Sequence, residues 1–162
     1  MRIFKEKQRF RQWWLIVIVA VVVCSLFINF YYKTEGFTVI ESKISLFFTS
    51  ILTLIIVGGI FLLELRTKID PVGITANFHP LPFFQKHFTW SQIEKVYVRK
   101  YSALTEYGGW GIRGFGESKA YNISGSYGIQ IVTKQNKRFL IGTQKHEEAE
   151  KVLARYQDKV KA

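Results

Sequence analysis

Residues 13–32 and 44–63 are nearly unbroken apolar runs, and the rest of the chain alternates short apolar stretches with charges and turn residues. In the first run Asn29 is the one strongly polar interruption; the second holds no charged residue and contains the pair Gly58-Gly59. Each run has the length of a helix that spans a hydrocarbon core, about twenty residues at roughly 1.5 Å each. Beyond residue 63 the pattern becomes that of strands and hairpins, with about seven segments expected. They cover residues 63–70, 73–79, 83–89, 93–101, 119–124, 127–133 and 138–142. Turn residues separate them at Asp70-Pro71-Val72-Gly73, at Pro80 and Pro82, at Gly125-Ser126 and at Gln135-Asn136. The last element reads as a helix capped by Thr143, with Glu147 and Glu148 in its first turns. Ala149, Val152, Leu153, Tyr156 and Val160 recur at helical spacing to form its packing face.

The pattern predicts an α+β chain: a two-helix transmembrane hairpin, then a small antiparallel β-barrel or sandwich of about seven strands closed by a C-terminal helix. Charge then sets an orientation. The net charge of +11 divides into +4 over residues 1–12, zero over 33–43 and +7 over 64–162. Basic residues flanking apolar spans mark the cytoplasmic side. The expected organisation is a basic N-terminus (1–12), two transmembrane helices (13–63) and a folded domain (64–162). The protein is expected in the cytoplasmic membrane as a multi-pass protein with both termini in the cytoplasm. The same positive charge suits an anionic lipid surface better than nucleic acid, and no nucleic-acid partner is expected. Cys24, the single cysteine, has no partner within the chain for a disulfide.

The order of strands and final helix resembles bacterial pleckstrin-homology-like domains attached to one or two transmembrane helices. Phe88-Thr89-Trp90-Ser91-Gln92-Ile93 and Phe139-Leu140-Ile141-Gly142-Thr143 carry this likeness, which covers residues 63–160. It implies a fold and a membrane-associated family. Eukaryotic members often hold phosphoinositides through a basic loop between their first two strands. Here that loop is Asp70-Pro71-Val72-Gly73, without Lys or Arg, so the resemblance does not carry that ligand over.

Residues 106–116 hold five glycines in eleven residues, with Trp110, Arg113 and Phe115 among them. Gly109-x-Gly111-x-x-Gly114 matches a dinucleotide-binding spacing but lacks the strand before it and the helix after it that the fingerprint needs. Two readings stand side by side. In one, the loop presents Trp110, Arg113 and Phe115 to a partner or a bilayer interface; in the other, glycine lets it turn tightly while the aromatics cover one end of the barrel. A second candidate surface is basic: Lys95, Arg99, Lys100, Lys134, Lys137 and Arg138. His79, His87 and His146 are not at metal-ligand spacings, and no nucleophile-base pair is visible. No catalytic residue, metal or cofactor is therefore expected. The chain reads as a non-enzymatic module at a lipid bilayer that binds a protein partner or another copy of itself, or alternatively senses anionic lipid.

Overall fold

The computed structural model describes residues 3–32, 39–114 and 116–161, with side chains described for all of these except 14, 29–32, 39–46 and 161. The chain divides into a helical unit, residues 10–62, and a β unit made of residues 1–9 and 63–162.

In the helical unit α1 (Trp13–Tyr32) and α2 (Val39–Leu62) pack against each other. Val21 and Phe27 of α1 and Phe48, Ile55 and Leu62 of α2 are exposed. Among the described residues no helix is long and apolar enough to cross a membrane. The expected transmembrane hairpin is corrected on this ground, and with it the multi-pass placement in the cytoplasmic membrane.

The β unit begins earlier than the hydrophobic pattern suggests. Residues 4–9, expected to belong to a basic tail, form β1 (Phe4–Arg9) and pair antiparallel with β2 (Glu64–Ile69) from Phe4↔Ile69 to Arg9↔Glu64. β1 alternates strictly: Phe4, Glu6 and Gln8 are buried while Lys5, Lys7 and Arg9 face outward. β3 (Gly73–His79) and β4 (Leu81–Thr89) complete a four-stranded sheet in the order β1-β2-β3-β4. The β2–β3 turn forms because Asp70 Oδ1 accepts hydrogen bonds from the backbone N–H groups of Val72 and Gly73. Gly73 is required there, since a Cβ would run into the carbonyl oxygen of Phe88 on β4.

A short 3-10 turn (Trp90–Gln92) leads into a second sheet. Its strands are β5 (Ile93–Lys100), β6 (Gly111–Arg113), β7 (Ser118–Asn122), β8 (Tyr127–Thr133) and β9 (Arg138–Thr143), in the order β5-β8-β9-β7-β6. α3 (Ala103–Tyr107) lies between β5 and β6. The expected closed antiparallel barrel of about seven strands is corrected on three counts. Among the described residues nine strands form two open sheets, β7 pairs parallel with β9, and the 3-10 turn separates β4 from β5 so that each ends a different sheet. Hairpin signals reveal neighbouring strands, but not the parallel β7–β9 pairing that reorders the second sheet.

Side chains from both sheets meet in a shared core. Phe78 packs edge-on to Tyr121 at 5.3 Å between ring centroids, and Phe88 meets Phe139 at 5.1 Å. α4 (His146–Ala154) and α5 (Gln157–Lys161) cover β5 and its neighbours, and Ala149, Val152, Leu153, Tyr156 and Val160 are all buried. Trp90 stacks on Tyr156 at 5.0 Å and donates its indole N–H to the Asp70 carbonyl at 3.0 Å, fastening the 3-10 turn to both the β2–β3 turn and the α4–α5 junction. Thr143 is the end of β9 rather than the helix cap; Lys145 occupies that position.

Two buried carboxylates tie β1 into this frame. Glu6 accepts hydrogen bonds from Thr143 Oγ1 at 2.6 Å and from the Gln144 backbone N–H at 2.8 Å. Glu64, 4 % exposed, holds Arg9 Nε at 2.8 Å and Arg66 Nε at 2.6 Å. Burial opposes ionisation of Glu64, but hydrogen bonds from Arg66 and Arg9 outweigh it and hold the carboxyl below the usual glutamate range. Its contribution to stability is therefore complete above the unfolded-state value and lost as pH falls through the lower folded value. Comparison of acid unfolding curves should show the native chain losing stability relative to Glu64→Gln as pH drops below the ordinary glutamate range. Parallel curves for the two proteins would exclude this contribution.

Candidate basic cleft

A cleft of about 570 Å³ opens between the edge strand β4 and the near end of the second sheet. Lys86, His87 and Phe88 on β4 form one side, with Ser91 and Gln92 of the 3-10 turn beside them. Gly116 and Glu117 come from the β6–β7 connection, Lys119 from β7, and Thr133, Lys134, Gln135, Lys137, Arg138 and Phe139 from the β8–β9 hairpin. The paired rings of Phe88 and Phe139 join the two sheets here and give the cleft an apolar wall.

The local backbone explains why the hairpin can present its charges. Asn136 adopts the left-handed conformation at φ 59°, its N–H bonding to the Thr133 carbonyl. The Lys137 N–H bonds to Thr133 Oγ1 at 3.2 Å, while the Lys134 N–H bonds to the Gln92 carbonyl at 3.0 Å. Backbone groups are thereby satisfied locally, leaving the lysine side chains outward. Thr75 Oγ1 and His87 Nδ1, 2.8 Å apart across β3 and β4, fix the His87 ring.

Five cations line the cleft, Lys86, Lys119, Lys134, Lys137 and Arg138, against the single carboxylate Glu117. All five are exposed, and none forms an ion pair among the described residues. Clefts lined by one sign of charge concentrate counter-ions of the other sign. Ser91, Gln92, Thr133 and Gln135 add neutral hydrogen-bonding groups. The arrangement suits a multiply accepting anion such as a phosphate group, and it contains no nucleophile held by a base. No group of three or more His, Cys, Asp or Glu residues among the described residues is placed to hold a metal ion.

Of the basic residues singled out in the sequence, Lys134, Lys137 and Arg138 converge here. The other three lie on β5. Arg99 is committed internally: it donates to Gln130 Oε1 at 3.0 Å and to Glu106 Oε2 at 2.7 Å. The hydrogen bond that Arg99 donates to Glu106 holds the Glu106 carboxyl below its usual range and raises the guanidinium further. Lys100 sits 5.5 Å over the Tyr127 ring, and Lys95 is a solvated side chain 4.0 Å from Glu94. Lys86 and Lys119 escape a reading of charge runs because each stands alone in sequence.

The glycine-rich segment is folded back on the second sheet. α3 and β6 structure it, and Trp110 packs against a cluster of Tyr101, Ala103, Ala120 and Leu140. Asn122, fully buried, accepts the Gly111 N–H at 2.9 Å and so pins the turn. Arg113 is exposed but donates Nε to the Trp110 carbonyl at 2.7 Å, while Phe115 lies outside the described residues. Trp110 and Arg113 are thus brought together, though away from the basic cleft. No family model matches this chain, and neither a curated protein nor a solved structure matches it.

Proposed function

We propose that the chain is a non-enzymatic binding module whose β unit takes the phosphate-bearing headgroup of an anionic lipid into the basic cleft. The observation that carries this reading is the cleft itself, with five cations that form no ion pair among the described residues facing one carboxylate. The alternative of a protein-interaction module acting through Trp110, Arg113 and Phe115 has less support, because Trp110 packs against its own sheet and Arg113 bonds back to the Trp110 carbonyl. The basic groups lie on β4, β7 and the β8–β9 hairpin rather than on the β2–β3 turn.

Titration of the whole chain with dibutyryl phosphatidic acid, followed by calorimetry, reads the cleft without a bilayer. Basic residues contribute about 1 kcal/mol each toward an anionic lipid surface, so Lys134→Glu with Lys137→Glu is expected to weaken binding by about thirtyfold or more. Binding by the native chain should also fall as salt rises. Affinity unchanged by the double substitution, or no binding by the native chain, would remove the cleft as a headgroup site.

A further inference from the structure

The tip of the β3–β4 hairpin carries the most exposed large apolar side chain among the described residues of the β unit. Phe83 is 90 % exposed, flanked by Leu81 at 36 % and Phe84 at 38 %. At that exposure the Phe83 ring has little packing role in the fold that holds it. We propose that this tip enters the headgroup–acyl boundary of an anionic bilayer, while the cleft on the same strand engages the headgroups. The inference rests on the headgroup reading for the charge that draws the surface in.

Three observations favour a bilayer over other occupants. First, charge agrees. Lys86 of the cleft follows Phe83 by three residues on β4, beyond the irregularity at which Leu81 pairs with Phe78 and Gln85 with Asn77, so a cation of the cleft accompanies the tip. Second, Pro80 and Pro82 remove two backbone donors from the tip, which lowers the cost of moving it out of water. Third, Pro82 lies within the edge strand, where it blocks the ladder that strand addition by a protein partner or a second copy requires.

The end of the sheet that carries the tip is also basic. His79 pairs with Glu64, and Glu64 with Arg9, so the tip shares this end with Arg9 and Arg66. The two arginines exceed the one carboxylate that holds them.

The test is the whole chain carrying Phe83→Trp, with the native chain subtracted, mixed with vesicles of phosphatidylcholine with or without phosphatidylglycerol. Replacement of a side chain so exposed leaves the fold untouched. On anionic vesicles the emission from position 83 should move to the blue, and lipids brominated in the acyl chains should quench it at least about twofold. Raised salt should reverse both changes. Emission that stays water-like and unquenched on anionic vesicles overturns the proposal, as does a blue shift that grows with protein concentration in the absence of lipid, which would assign the tip to a second copy. Calorimetry with the short-chain lipid reports on the cleft independently: headgroup binding without quenching at position 83 removes the insertion alone, and quenching without headgroup binding removes the cleft alone.

Discussion

Phe4→Ala should destabilise the β unit by about 3–5 kcal/mol, the range for removing a fully buried aromatic ring. Phe4 has no exposed surface, lies on the inner face of β1 and is paired with Ile69, itself fully buried. The change deletes a ring from a core whose remaining side chains are held by sheet register on both sides, so collapse into the space is limited. Hydrogen exchange at amides of β2 and β9 is the suitable measurement, because it reports on the β unit whatever the helical unit does. Lys5→Ala, on the outward face of the same strand, serves as the control and should stay within about 0.5 kcal/mol. A loss of less than about 1 kcal/mol at Phe4 would mean that β1 adds little to the fold.

Glu6→Ala is expected to cost about 2–4 kcal/mol through a different mechanism. Glu6 is 4 % exposed, and its two oxygens satisfy the Thr143 hydroxyl and the Gln144 N–H. Alanine removes both acceptors and leaves two donors facing a vacated site. Glu6→Gln keeps one carbonyl oxygen in place and should recover part of the loss. Both Phe4 and Glu6 act by docking β1, so the double variant should lose less than the sum of the singles in the same exchange experiment. Strict additivity would show that the two side chains stabilise separate parts of the structure.

The strand that these substitutions probe was hidden from the hydrophobic pattern for a definite reason. Its buried positions are Phe4, Glu6 and Gln8, and its exposed positions are Lys5, Lys7 and Arg9, so polar residues occupy both faces. Alternation in hydrophobicity fails where the core itself contains a carboxylate and an amide. The later strands were legible because Ile129 and Ile131, or Leu65 and Ile69, recur in alternating core positions between real turn signals. Gly125 at φ 87° and Asn136 at φ 59° are examples of such turns. The two apolar runs were readable as helices by the same logic of composition. The three residues of β6 were lost inside a glycine-rich stretch, where no period can be counted.

Only part of the cleft could be read before the fold was known. Lys134, Lys137 and Arg138 lie close together in sequence, whereas Lys86 and Lys119 reach the same cleft from β4 and β7. Their convergence depends on the Phe88–Phe139 contact between sheets, a long-range fact that local charge counting does not contain. Arg99 illustrates the opposite error: it looked available as one of several basic residues, yet Gln130 and Glu106 consume its donors.

The pairing of β1 also sets an order of events during synthesis. β1 must wait through both helices for β2, and its Glu6 must wait longer still for Thr143 and Gln144, 137 and 138 residues further on. Until then Phe4 is without its core and the β2 edge stands open, a state in which unpaired strands invite association between nascent chains. Nascent chains therefore carry an unfinished sheet until the segment that holds Thr143 and Gln144 has emerged.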